Sequence, residues 1–156
     1  MTARRSSRWR GTRGEGWVVL QVVLLAAVAA LPPAGGKVVS APTAAASVAL
    51  IGMIMLVAGV VALGSNLSVL PSPREGARVV RHGVYRWVRH PIYVGVILLT
   101  VGWAVYRGDL LHVVMAVVIG VFYAAKASRE ERYLQERFPD YKGYRRRTWR
   151  FVPWVY

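Results

Sequence analysis

IYVGVILLTVGWAVYRGDLLHVVMAVVIGVFYAAKA, residues 92–127, holds two apolar runs parted only by Arg107-Gly108-Asp109. A break this short forces the helices on either side into a tight antiparallel hairpin. Whatever precedes residue 92 is then brought close to whatever follows residue 127. Two further apolar runs lie upstream, at about 17–34 and 44–63. A helix crossing a bilayer takes about 20 apolar residues. The run at 44–63 meets this easily, and those at 17–34 and 110–127 are adequate. The run at 92–106 is short, but Pro91 suits a first helical turn, and Tyr93, Trp103 and Tyr106 suit the membrane interfaces.

Composition agrees. Hydrophobic residues make up 55% of the 156, yet the formal net charge is +14. In a globular domain these two facts conflict; in a membrane protein with basic cytoplasmic segments they do not. Arg4, Arg5, Arg8, Arg10 and Arg13 precede the first run, and Arg74, Arg78, Arg81, Arg86 and Arg89 lie between the second and third. Nine more basic residues, from Lys126 to Arg150, lie at and after the end of the fourth run, whereas the other two loops hold only Lys37 and Arg107. This alternation follows the positive-inside rule, and it leaves no basic surface that calls for nucleic acid. Both termini and the loop at 65–90 are expected on the cytoplasmic side of the cell (inner) membrane. The first run has a basic flank, but Leu31-Pro32-Pro33 is a poor cleavage site, so an uncleaved helix is expected.

The expected architecture is all-α: an integral membrane protein with about four transmembrane helices plus a cytoplasmic C-terminal amphipathic helix. Residues 1–16 form a basic tail and 17–156 a single domain. Gly52, Ala58, Gly59, Ala62 and Gly64 permit close packing of the second helix. Past the fourth run, Ala127, Glu131, Leu134, Phe138 and Tyr141 recur on one helical face, Pro139 interrupts, and Arg132 and Arg137 face away. That segment reads as a helix on anionic headgroups, with Arg145, Arg146, Arg147 and Arg150 as a lipid-phosphate anchor. Cysteine is absent, and His82, His90 and His112 are scattered, so no metal site is expected.

Two adjacent acids, Glu130 and Glu131, stand at the membrane entry of this segment, where a carboxylate needs a cationic partner. Lys126 or Arg89 would serve in an ion pair pinning the hairpin's two ends. A cationic group of a ligand would serve equally. At the other end, YRWVRHPIYVG (residues 85–95) offers the N–H groups of a helix start after Pro91, donors from Arg89 and His90, and the rings of Tyr85, Trp87 and Tyr93. A ligand matching both ends is zwitterionic and carries an aromatic base.

The sequence GVYRWVRHPIYVG at 83–95, followed after one hairpin by EERYLQERFPDYKGYRRR at 130–147, resembles the isoprenylcysteine carboxyl methyltransferase family, which belongs with the phospholipid methyltransferases. The resemblance covers roughly residues 64–147, with the cofactor region at about 77–144. It implies S-adenosylmethionine as the cofactor, held by the backbone of Ala77, Arg78, Val79 and Val80, by Tyr85, by His90, Pro91, Ile92 and Tyr93, and by Glu130. It implies substrate contact at Lys126, where family members that act on prenylated proteins carry arginine. Arg89 and Glu130 are the candidate catalytic residues, Arg89 as a clamp on substrate or cofactor. The implied activity is methyl transfer to a lipophilic acceptor, by carboxyl O-methylation or lipid amine N-methylation. The animal enzymes have additional membrane helices, so with four spans the acceptor cavity is expected to be smaller, or completed by another copy in a homo-oligomer. Two other assignments fit parts of the pattern: an NADPH-dependent sterol-type reductase, whose HPNYxxE turn differs from HPIYVGV here, and a non-catalytic membrane adaptor.

Overall fold

The fold was obtained as a computed structural model that describes residues 14–34, 41–67 and 79–152. It contains helices α1 (Glu15–Ala30), α2 (Pro42–Leu63), α3 (Pro91–Arg107), α4 (Leu110–Arg137) and α5 (Tyr141–Arg146), with 3₁₀ turns at Gly64–Asn66 and Gly83–Arg86. Among the described residues the one extended pairing is a parallel bridge between Val88 and Trp149. Two helical stretches, Pro42–Asn66 and Leu110–Arg137, are long and apolar enough to cross a membrane. The apolar helices α1 and α3 are shorter, at 16 and 17 residues.

The hairpin forms where the sequence places it. Gly108 ends α3 in the left-handed region at φ 70, and its N–H reaches Ala104 O at 2.9 Å. Asp109 then caps α4: its carboxylate accepts from the His112 backbone N–H at 3.2 Å and lies 2.8 Å from His112 Nδ1. These hydrogen bonds hold the Asp109 carboxyl below its usual range.

One boundary differs from expectation. The fourth apolar run and the amphipathic segment are not separate: α4 continues unbroken to Arg137. A change from apolar to polar residues is not a helix stop, and the intervening Glu, Arg, Leu and Gln are good helix formers. At 28 residues α4 is about 42 Å long, more than a bilayer's apolar thickness of about 30 Å, so its last turns project beyond.

α2 and α3 run antiparallel at backbone contact. A Cβ on Gly95 would lie 2.7 Å from Gly52 O and from Leu56 N; one on Gly102 would lie 2.9 Å from Ala45 O. Ala45, Gly52 and Gly59, the buried residues of α2, repeat every seven positions, the spacing of left-handed helix pairs. On the other side α1 packs on α4 through Val28, Ile119, Phe122 and Tyr123, and Trp103 Nε1 donates to Val28 O at 3.1 Å.

The distribution of side chains is the reverse of a soluble domain's. Leu50, Ile51, Ile54, Val57 and Val61 of α2 and Val117 and Val121 of α4 are exposed, while Thr100, Asp109, His112, Lys126 and Glu131 are buried. An apolar exterior around a small-residue and polar interior suits lipid.

Because backbone atoms cannot yield to a new methyl group, Gly95→Ala is expected to cost about 1–3 kcal/mol and to lower the thermal midpoint in detergent. Gly120→Ala, with nothing within 4 Å of the added Cβ, should leave that midpoint unchanged or raised.

Candidate functional site

The end of the bundle where α3 begins and α4 projects is closed by the chain on either side of it. Trp149 N donates to Trp87 O at 2.9 Å and Arg89 N to Trp149 O at 2.8 Å, so residues 87–90 and 148–150 run side by side. Tyr144 OH donates to Tyr85 O at 2.7 Å, and burial pushes the Tyr144 phenol up to about 12, keeping it a neutral donor. The Tyr85 phenol is raised further, also by burial.

Beneath this cover Glu131 collects positive charge. Arg89 Nε donates to its Oε1 at 2.9 Å, His90 Nε2 lies 3.3 Å from the same oxygen, and Arg145 and Arg150 approach at 3.5 and 3.7 Å. Arg89 also donates from Nη1 to Arg145 O at 3.0 Å and to Thr148 O. Arg150, expected among the lipid anchors, turns inward instead, donating to Ala124 O at 3.2 Å and Ser128 Oγ at 2.5 Å. A buried carboxylate recruits such donors because an unpaired charge there is costly.

Glu130, the residue before it, points about 100° away around the helix. Tyr93 OH donates to its Oε1, and His90 Nδ1 lies 3.7 Å from its Oε2. The His90 ring bridges the two acids and stacks on Tyr93 at 5.3 Å and 8°. The two carboxylates differ in access: the Glu130 side chain keeps 17% of its surface and Glu131 only 5%. Glu131 is closed off, and Glu130 keeps a partial opening, although burial still raises its carboxyl above the usual range.

One turn before Glu130, Lys126 is 2% exposed, with its ammonium 5.4 Å from the centre of the Tyr93 ring. It donates to Gln21 Oε1 of α1 at 2.6 Å. Tyr123, 4.7 Å from Tyr93 between ring centres, has a buried hydroxyl with no hydrogen-bond partner.

Tyr85, His90, Tyr93, Lys126 and Glu130 thus converge. Ala77 and Arg78 lie outside the described residues; Val79 and Val80 are in irregular chain and partly buried. Pro91 is buried and Ile92 packs on α2, where a Cβ on Gly59 would lie 3.2 Å from Ile92 N. The start of α3 is therefore covered by α2 on one side. Arg89 sits with Glu131 under the cover rather than with Glu130. Gln21, Tyr123 and Thr148 were not singled out from the sequence. Gln21 acts across 105 positions of sequence, and no local pattern marks such a pairing.

A zwitterionic cofactor with an ammonium group fits these residues: Glu130 offers a reachable acceptor already oriented by Tyr93, and the Tyr123 hydroxyl is an orphaned buried group beside it. Among the described residues no cluster of side chains suits a metal.

The phospholipid methyltransferase family model matches residues 41–141, more than half of the chain, from the start of α2 to just past the end of α4. The chain is 30% identical over 154 residues to the nickel-cobalt-cadmium resistance protein NccN of Alcaligenes xylosoxydans xylosoxydans, covering 98% of this chain and 66% of that one. It is 31% identical over 110 residues to protein-S-isoprenylcysteine O-methyltransferase B of Arabidopsis thaliana, covering 68% and 56%. It is 35% identical over 72 residues to methanethiol S-methyltransferase 1 of Bradyrhizobium diazoefficiens, covering 46% and 25%. The chain thus spans from a quarter to about two thirds of the length of these relatives. With the family model matching the stretch that carries Tyr93, Lys126 and Glu130, the chain belongs to the phospholipid methyltransferase family.

Proposed function

We propose that the protein is an S-adenosylmethionine-dependent methyltransferase of the cell membrane that methylates a lipophilic acceptor. The observation that carries this reading is the Glu130 carboxylate, held by Tyr93, reachable, and one turn from a buried Lys126 inside an apolar bundle. The reading includes four membrane crossings by α1 to α4, with both termini and the covered end cytoplasmic, in keeping with the alternation of arginines along the chain.

When bound, S-adenosylmethionine supplies a methyl group on a positively charged sulfur, so that methyl transfer is a displacement limited by positioning and desolvation. Glu130 receives the amino-acid ammonium. Tyr93 orients that carboxylate, and the His90 ring, stacked on Tyr93, keeps Glu130 and Glu131 apart. Tyr85 and Tyr93 supply aromatic surface against the donor. Arg89 is a positioning residue, fixing the start of α3 to Glu131. Lys126, steadied by Gln21 of α1, faces the acceptor side. The named acceptors of two relatives, protein isoprenylcysteine and methanethiol, differ from one another, so the acceptor is assigned here by class alone.

Titration calorimetry of the detergent-purified chain with S-adenosylhomocysteine should give saturable binding, and NADPH none; the reverse result overturns the reading. Glu130→Gln is expected to weaken S-adenosylhomocysteine at least tenfold with the thermal midpoint unchanged. Glu131→Gln leaves buried cations without their counter-charge and should destabilise the fold by about 3–5 kcal/mol. Equal cofactor affinity in wild type and Glu130→Gln would remove Glu130 from the site. Gln21→Leu is expected to leave S-adenosylhomocysteine affinity within twofold while reducing transfer of labelled methyl into organic-extractable membrane material. Unchanged transfer would separate α1 from the acceptor side.

A further inference from the structure

The arginines of the covered end divide into two groups. Arg89, Arg145 and Arg150 converge on Glu131. Arg81, Arg86 and Arg147 do not: among the described residues none of them has a carboxylate within ion-pair distance. These three line one open groove of ≈ 830 Å³, in which Asp140 is the single acid among the described residues. Three guanidinium groups against one carboxylate leave the groove strongly positive.

Its floor is aromatic and fixed. Trp87 and Trp149 stack at 6.5 Å with 3° between their planes, and the backbone bonds between residues 87–89 and 149 lock them in register. The Arg86 guanidinium lies 5.6 Å over Trp87 and that of Arg81 lies 5.8 Å over Tyr144, so two of the three cations are held by rings and still present N–H donors. Trp87 is 56% exposed, a large indole surface to leave in water. It stands four positions before Pro91, the first residue of α3. Indole rings at the end of an apolar helix belong at the headgroup level of a bilayer, and guanidinium groups beside them pair with phosphate oxygens.

We propose that this groove is a binding site for the phosphodiester headgroup of an anionic phospholipid, with Arg81, Arg86 and Arg147 on the phosphate and the Trp87–Trp149 stack at the glycerol level. The assignment rests on α3 being a membrane span, as in the reading above, but not on the methyltransferase activity. It makes the groove a seat for a resident lipid, separate from Glu130 and outside the catalytic cluster.

Native mass spectrometry of the full chain released from detergent micelles containing equal phosphatidylglycerol and phosphatidylcholine tests this. Wild type should retain phosphatidylglycerol at least tenfold over phosphatidylcholine. The combined substitution Arg81→Gln, Arg86→Gln, Arg147→Gln should abolish that preference while S-adenosylhomocysteine binding stays within twofold. Equal retention of the two lipids by wild type overturns the proposal without any reference to a variant. An undiminished preference in a folded triple variant overturns it as well. Displacement of the lipid by an equal concentration of inorganic phosphate would reassign the groove to a soluble anion. Loss of S-adenosylhomocysteine binding in wild type would strike the proposed function and leave the lipid result standing.

Discussion

The ion pair between Arg89 and Glu131, 2.9 Å long and almost wholly buried, is the constraint on which this end of the molecule depends. Arg89 stands two residues before α3 begins and Glu131 three-quarters of the way along α4, so the pair fixes the entry of one helix against the exit of its neighbour. Arg145 and Thr148 join it through their backbone carbonyls, which ties the C-terminal segment to the same point. Removing one partner of such a knot leaves charge stranded in a low-dielectric interior, so each member holds the others in place.

What this knot achieves is a division of labour between adjacent acids. Glu131 is consumed by structure, and Glu130, turned away from it on the same helix, is left with Tyr93 and a reachable oxygen. His90 lies between them, near enough to both to keep their orientations distinct. The ion-pair explanation of the acidic doublet therefore holds for Glu131, and the ligand-binding one is what is proposed for Glu130. The same economy governs the arginines, some neutralising Glu131 and others lining the outer groove.

Much of this was legible in the residues themselves. Two apolar runs joined through Gly108-Asp109 require a hairpin, and the sharp break at Gly108 and the cap at Asp109 are local devices whose chemistry is carried by single side chains. Tyr85, His90, Tyr93, Lys126 and Glu130 were named from the motif and its resemblance, and the fold draws them together. The end of α4 was less legible, because hydropathy marks where lipid ends and not where a helix does. The small residues of α2 signalled close packing without naming α3 as the partner. Which acid would meet Arg89 depended on a rotation of about 100° between neighbours, which only the packing of α3 against α4 decides. Gln21 carries no local signal at all: its role appears only when α1 lies on α4.

The central claim is that Glu130, and not the groove beneath Arg81, Arg86 and Arg147, receives the cofactor. A structure of the protein solved with S-adenosylhomocysteine tests it most directly. The account predicts the ligand's ammonium within hydrogen-bond distance of the Glu130 carboxylate, with Glu131 still paired to Arg89. A ligand seated in the arginine-lined groove, or an ammonium bound by Glu131 with Arg89 displaced, would contradict it.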